Sequence, residues 1–290
     1  MKRVISISMM LLLFLCGCAK ESAKEEEKIT WTLTQYQDVS GSQANFYTIV
    51  GNHGRLIVID GGTENNAEYL KQIICENGQH VDMWILTHPH PDHIGAFNRL
   101  LAEGEIEADR IYDNGLNYDF YAAVAKEWDG IESYETYLEL TEGIPEVQSL
   151  KAGEVLTLDN LTLSFYNSYY EGIDQLAGDI PNNSSLVFSV AAGEKSMLFV
   201  GDCYDENLAD KWIQDYGDSL KADYVQMGHH GNHSLPVWFY EYVEPKGVFF
   251  DAPEWLMNGD QYDTKKNREA MEKIADRVYD YGTCPNEVSL

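Results

Sequence analysis

Residues 81–95 read VDMWILTHPHPDHIG: an apolar run from Val81 to Leu86 that passes straight into Thr87-His88-Pro89-His90-Pro91-Asp92-His93. A short run of this kind, flanked by polar turns, reads as a strand buried on both faces. Pro89 and Pro91 hold the following residues extended. Residues two apart in an extended stretch point the same way, so His88 and His90 can share one metal ion. Asp92 and His93 then lie at the turn into the next helix and face a second point nearby. Four potential ligands within six residues, at the end of a buried strand, is the spacing of a metal site.

Two later segments repeat the device of an apolar strand that ends in a polar group. Met197–Val200 leads into Gly201-Asp202, and a carboxylate so placed can bridge two cations. Asp223–Met227 leads into Gly228-His229-His230-Gly231-Asn232-His233, three histidines in five residues. Six of the chain's eight histidines sit in these two clusters, which points to metal chemistry.

Around these segments, short β-like runs alternate with amphipathic helical stretches. Thr30–Val39, Asn45–Val50 and Arg55–Asp60 read as strands, Glu64–Glu76 and Ile94–Ala102 as helices, and Tyr118–Leu140 as one long helix. Val155–Tyr166, Ser185–Val190 and Val248–Phe250 read as further strands, with Glu206–Tyr216, Pro236–Val243 and Lys265–Asp276 as helices. The same style in both halves predicts two sheets packed face to face and covered by helices.

The pattern HxHxDH after a strand, Gly-Asp after a later strand, and Gly-His-His-Gly further on resembles the metallo-β-lactamase fold superfamily. That resemblance implies an α/β fold, a four-layer αββα sandwich of two mixed β-sheets flanked by helices, with a two-metal site at one edge. Zinc suits such a His/Asp set best, and manganese or iron also fit. Carried over, His88 and His90 would hold the first ion and Asp92 and His93 the second. Asp202 would bridge the ions and His229 would complete the second site, with His230 as the fallback. Many members place a further histidine between the first motif and the bridging aspartate; here none lies between His93 and His229. Instead Asn182-Asn183-Ser184-Ser185-Leu186-Val187 resembles the Asn-x-x-Ser-Leu-Val motif of a subgroup. That subgroup includes the extracellular domain of DNA-uptake competence proteins and teichoic-acid phosphorylcholine esterase. It puts Asn182 near the first metal or the substrate.

The expected activity is metal-dependent hydrolysis of a phosphodiester, by hydroxide generated between the two ions. Asp92 would orient the nucleophile, and His230 or His233 would serve the leaving group. The alternatives are a lactone or β-lactam hydrolase of the same fold, or a non-catalytic lipoprotein that binds wall polymer or carbohydrate. The chain carries 20 Lys and Arg against 48 Asp and Glu, a net charge of −28, so nucleic acid is disfavoured as a partner. A small-molecule or cell-wall phosphodiester is expected instead. Aromatic residues near acidic ones, Trp238 and Trp255 among them, suit a cationic group such as choline on that substrate.

At the N-terminus, Lys2 and Arg3 precede an apolar run ending in Leu15-Cys16-Gly17-Cys18. Residues 1–17 read as a lipoprotein signal peptide, with Cys18 lipidated, and residues 18–28 as a charged tether. Residues 29–290 then form the hydrolase domain, held at the extracellular face of a bacterial cytoplasmic membrane or secreted. Cys75, Cys203 and Cys284 are expected as three small buried hydrophobes.

Overall fold

The computed structural model describes residues 28–290. The signal-peptide, lipidation and tether readings at residues 1–27 lie outside them. Among the described residues, no helix is long and apolar enough to cross a membrane.

Fourteen strands form two seven-stranded sheets among the described residues. The first half contributes β1 (Trp31–Gln35), β2 (Phe46–Gly51), β3 (Leu56–Asp60), β4 (Met83–Ile85), β5 (Ile111–Asp113) and β6 (Val147–Ser149). The second contributes β7 (Val155–Leu158), β8 (Leu161–Asn167), β9 (Val187–Ala192), β10 (Lys195–Phe199), β11 (Tyr224–Gln226), β12 (Gly247–Phe249) and β13 (Arg277–Tyr279). The last strand, β14 (Asn286–Ser289), returns to pair with β1, giving the orders β14-β1-β2-β3-β4-β5-β6 and β13-β12-β11-β10-β9-β8-β7. In each sheet antiparallel hairpins give way to parallel strands, from β3 to β6 and from β10 to β13. Both sheets are mixed, as expected.

The apolar runs are continuous because both faces of these strands are buried. In β3, Ile57 and Ile59 point into the space between the sheets, while Leu56 and Val58 point to the helical layer. In β10, Met197 and Phe199 join the inter-sheet core and Leu198 and the following Val200 face helices. Each such side chain contributes roughly 1.5–3 kcal/mol by leaving water. The outer layers are α1 (Ala67–Glu76), α2 (Pro91–Ala102), α3 (Tyr118–Val124), α4 (Ile131–Thr141), the single turn α5 (Ile180–Asn183), α6 (Glu206–Tyr216), α7 (Val237–Val243), α8 (Glu254–Asn258) and α9 (Thr264–Ile274). The amphipathic stripe of α1 buries Leu70, Ile73 and Ile74, and that of α6 buries Leu208, Ala209 and Trp212.

Three details differ from the sequence reading. Tyr118–Leu140 is two helices, broken at residues 125–130, where Gly130 takes a left-handed φ of 62° to start α4. The Val155–Tyr166 run turns at Asp159-Asn160 into the β7–β8 hairpin. Cysteine burial is not uniform: Cys203 is buried, Cys284 half-buried and Cys75 exposed on α1, whose buried stripe passes through Ile74 on its other side.

Candidate metal centre

Parallel pairing sends the C-terminal ends of β3 and β4 to one edge of the first sheet, and those of β10, β11 and β12 to one edge of the second. Asp60 ends β3, His88 and His90 follow β4, Asp202 follows β10, His230 follows β11 and Asp251 follows β12. Ligands bind at such carboxyl ends because the departing loops leave a crevice there. Of eight non-glycine residues with positive φ among the described ones, Asp60, Asp179, His229, His230 and His233 belong to this edge. Each left-handed non-glycine residue costs of order 1–2 kcal/mol, and strain of this kind gathers where a side chain has to be aimed.

His88, His93 and Asp202 bring one ligand atom each within 4.8 Å of one another, as do Asp92, His93 and His230. His93 Nε2 faces Asp202 Oδ1 at 3.3 Å, and His230 Nε2 faces Asp92 Oδ2 at 3.2 Å and Asp202 Oδ2 at 3.4 Å. His88 Nε2 lies 3.9 Å from Asp202 Oδ2, and the ring of His90 packs edge-on against that of His88. The buried Nε2 atoms of His88, His90, His93 and His230, and Asp202 Oδ1, have no hydrogen-bond partner. Unpaired buried polar atoms are costly. Ligands bound about 2.0–2.1 Å from one tetrahedral zinc ion sit roughly 3.3 Å apart, so the residues present fit divalent cations.

The rings are aimed by a further layer of partners. His93 Nδ1 meets Asp60 Oδ2 at 2.8 Å. Asp60 in turn accepts the Thr87 backbone N–H at 2.7 Å, the Thr87 hydroxyl at 2.8 Å and Asn45 Nδ2 at 2.8 Å. His230 Nδ1 donates to the Asp251 carbonyl at 2.8 Å, which turns Nε2 toward Asp92 and Asp202. Asp202 receives its placement from Gly201, where φ is +53° and an added Cβ would stand 2.6 Å from Ser185 Cβ. The Val200 and Gly201 amides donate to Gln226 Oε1 at 3.2 and 3.0 Å, and the Asp202 amide to Ser185 Oγ at 3.1 Å.

Electrostatics mark where positive charge belongs. Burial disfavours a charged His93, but Asp202 and Asp60 on either side outweigh it and lift its pKa to about 10. Burial likewise opposes charge on His230, and Asp202 and Asp92 raise its pKa well above the ordinary value. Asp202 and Asp92 are held far below the usual carboxylate range by His93 and His230, against the effect of burial. Burial and the neighbouring His93 keep His88 neutral, and burial lowers His90. The charged forms of His93 and His230 are thus favoured between carboxylates, at the place where these residues would hold a divalent cation.

The centre opens into a cleft of about 1030 Å³ whose wall includes His90, Asp92, Asp202, Asn182 and His229. Of the two histidines expected to complete the second site, His230 rather than His229 lies beside Asp92 and Asp202. His229 and His230 are consecutive left-handed residues, with φ of 51° and 55°. That turn sends His230 inward to Asp92 and Asp202, and leaves His229 in the cleft, its ring stacked on Tyr204 at 5.5 Å. His230 consequently does not stand free to serve a leaving group, and the solvent-exposed His233 sits at the rim, 3.5 Å from Asp263. Asn182 is buried on the cleft wall with its Oδ1 unpartnered. Cys203 is turned away: its thiol faces the carbonyls of Asn182, Asn183 and Ser185, and burial pushes its pKa well up. Trp255 lines the cleft, whereas Trp238 lies on α7 outside it.

Sequence reasoning missed Asp60, Asp251, Gln226, and the cleft residues Lys126, Trp128, Asp179 and Tyr204. For Asp60 the signal was present: Leu56–Ile59 is an apolar strand delivering a carboxylate, the same pattern that singled out Asp202.

A family model described as "Metallo-beta-lactamase superfamily" matches residues 39–203. The ComE operon protein 3 of Bacillus subtilis (strain 168) is 24% identical over 267 residues, 86% of this chain and 30% of that protein. The chain thus spans about a third of that relative's length. Among solved structures, the metallo-beta-lactamase fold protein YhfI from Bacillus subtilis superposes with a TM-score of 0.54 at 12% identity, covering 90% of this chain and 100% of the other. A diphosphatase from the PhnP family gives a TM-score of 0.50 at 14% identity, covering 91% and 98%. At these identities the structural likenesses establish the fold.

Proposed function

The chain belongs to the metallo-beta-lactamase superfamily, and from that premise we propose that it is a metal-dependent phosphodiesterase acting on a small or wall-derived substrate. The observation that carries this reading is the convergence of unpartnered His and Asp atoms on the floor of an open cleft. His88 and His90 would hold one ion, with Asn182, on the same cleft wall as His90, as a further contact to that ion or the substrate. Asp92, His93 and His230 would hold the second, with Asp202 between the two. When bound, such ions supply a Lewis acid and bring a water molecule's pKa toward neutrality.

The chain's own groups do the rest. Asp92 is reachable from the cleft, and its Oδ2 is fixed by Gln43 Nε2 at 3.0 Å, so it can orient an attacking water. His229 faces the cleft as a neutral ring, because burial lowers its pKa, and its Nδ1 is buried without a partner. We assign to His229 the hydrogen bond to the leaving oxygen, the role the sequence gave to His230 or His233. The Asn182–Val187 resemblance supports a phosphodiester over a β-lactam. The net charge of −28 supports a short substrate over a nucleic acid. The Leu15-Cys16-Gly17-Cys18 run supports a lipid on Cys18 and a place outside the cytoplasmic membrane.

The test is turnover of bis-p-nitrophenyl phosphate, p-nitrophenyl phosphate, a chromogenic lactone and a chromogenic β-lactam by chain reloaded with zinc or manganese. The diester should be the preferred substrate, and preference for the lactone or β-lactam would overturn the assignment.

A further inference from the structure

Asp179 stands immediately before α5 in a left-handed conformation, φ 45°, on the wall of the cleft. Its Oδ2 accepts from Tyr204 Oη at 2.9 Å and from Asn182 Nδ2 at 3.3 Å, and lies 3.6 Å from Lys126 Nζ. Its Oδ1 is buried and has no partner. Asn182, only 5% exposed on the same wall, also leaves Oδ1 buried and unpartnered. Three groups thus hold one carboxylate oxygen while the other is left to accept from something absent from the chain. Buried acceptors are rarely left without a donor, and strained backbone that aims one is a mark of a ligand contact.

The chemistry of the missing donor follows from Lys126. Its ammonium already accompanies Asp179 and lies over the Trp128 ring, 5.6 Å from the centroid. A quaternary ammonium brought to this place would meet that charge and has no hydrogen to give Asp179. A primary ammonium has hydrogens but meets the same repulsion. A hydroxyl can donate to Asp179 Oδ1 and accept from Lys126 Nζ without adding charge.

We propose that Asp179, oriented by Tyr204 and Lys126, is a specificity residue that takes a hydroxyl of the substrate's alcohol portion, so that the substrate is a phosphoester of a polyol or sugar. This rests on the phosphodiesterase reading above and narrows it, in place of a choline-type group.

Calorimetric titration of the zinc-loaded full chain with glycerol 3-phosphate, phosphorylcholine and inorganic phosphate tests it. Glycerol 3-phosphate should bind roughly tenfold more tightly than phosphorylcholine, the effect of one hydrogen bond to a charged acceptor. In Asp179→Ala that ratio should fall to about one. Asp179→Asn keeps an acceptor oxygen and should retain part of the preference, so the proposal stays testable if the alanine variant folds poorly. Equal or tighter binding of phosphorylcholine by the unaltered chain, or a preference that survives Asp179→Ala, overturns the proposal while leaving the phosphodiesterase reading intact. Failure of all three phosphate ligands to bind overturns that reading, and the proposal with it.

Discussion

Asp60 and His93, thirty-three residues apart, meet at 2.8 Å between Oδ2 and Nδ1, and neither side chain is exposed. The contact fixes which nitrogen of His93 faces the metal centre. A carboxylate can only accept, so Nδ1 carries the hydrogen and Nε2 is presented to Asp202. Asparagine at position 60 could donate through its amide instead, leaving the hydrogen on Nε2, where it blocks a metal. Asp60→Asn is therefore expected to weaken zinc binding about 10–100-fold with the fold unchanged, measured by competition with a chromophoric chelator. Unaltered affinity would show that Asp60 plays no part in aiming His93.

His229 and His230 are neighbours in sequence with opposite surroundings. His230→Ala should cost the second ion, read as a lower metal-to-protein ratio by inductively coupled plasma mass spectrometry. His229→Ala should keep the full metal content and lose turnover, by about 10²–10⁴-fold for a group that serves the leaving oxygen. The reverse pattern would restore His229 as the ligand.

Gly201 is the one residue type that fits its place, given φ of +53° and the 2.6 Å approach of Ser185 Cβ to an added methyl. Gly201→Ala should destabilise the chain by about 1–3 kcal/mol in urea unfolding and displace Asp202. Stability within a few tenths of a kcal/mol of the unaltered chain would mean that this loop relaxes freely.

Removal of metal should leave the sandwich folded. The inter-sheet core of Ile57, Ile59, Phe188, Phe199 and Phe249 contains none of the ligands, and without cations His93 and His230 carry the charge that balances Asp92 and Asp202. Chelated protein is expected to keep its far-ultraviolet circular dichroism, melt at a lower temperature, and recover on addition of zinc. Loss of the β signal on chelation would contradict this separation of core and centre.

The first motif was legible because its residues are local: strand, two prolines and helix start fix where four side chains go. Asp202 was legible for the same reason. His229 and His230 were not separable, because alternation along an extended chain fails where two successive residues adopt left-handed φ. Asp60 was hidden because a carboxylate at the end of a strand looks like any turn until its partner His93 is known. The cleft wall was obscured by reading Tyr118–Leu140 as one helix. The break at residues 125–130 is what brings Lys126 and Trp128 to the site, and its signal was the Asp129-Gly130 pair. Trp255 and Trp238 were indistinguishable by composition, since only the packing of α7 and α8 decides which one meets the cleft.

The central claim is that Asp202 joins two ions on which hydrolysis depends. Its most direct test compares metal content and bis-p-nitrophenyl phosphate turnover in the unaltered chain and Asp202→Ala after loading with zinc. The unaltered chain should hold about two ions and turn over the diester. The variant, with two cations no longer bridged and repelling each other, should lose at least one ion and hydrolysis together while remaining folded. An Asp202→Ala chain that keeps both ions and near-normal turnover would contradict the account.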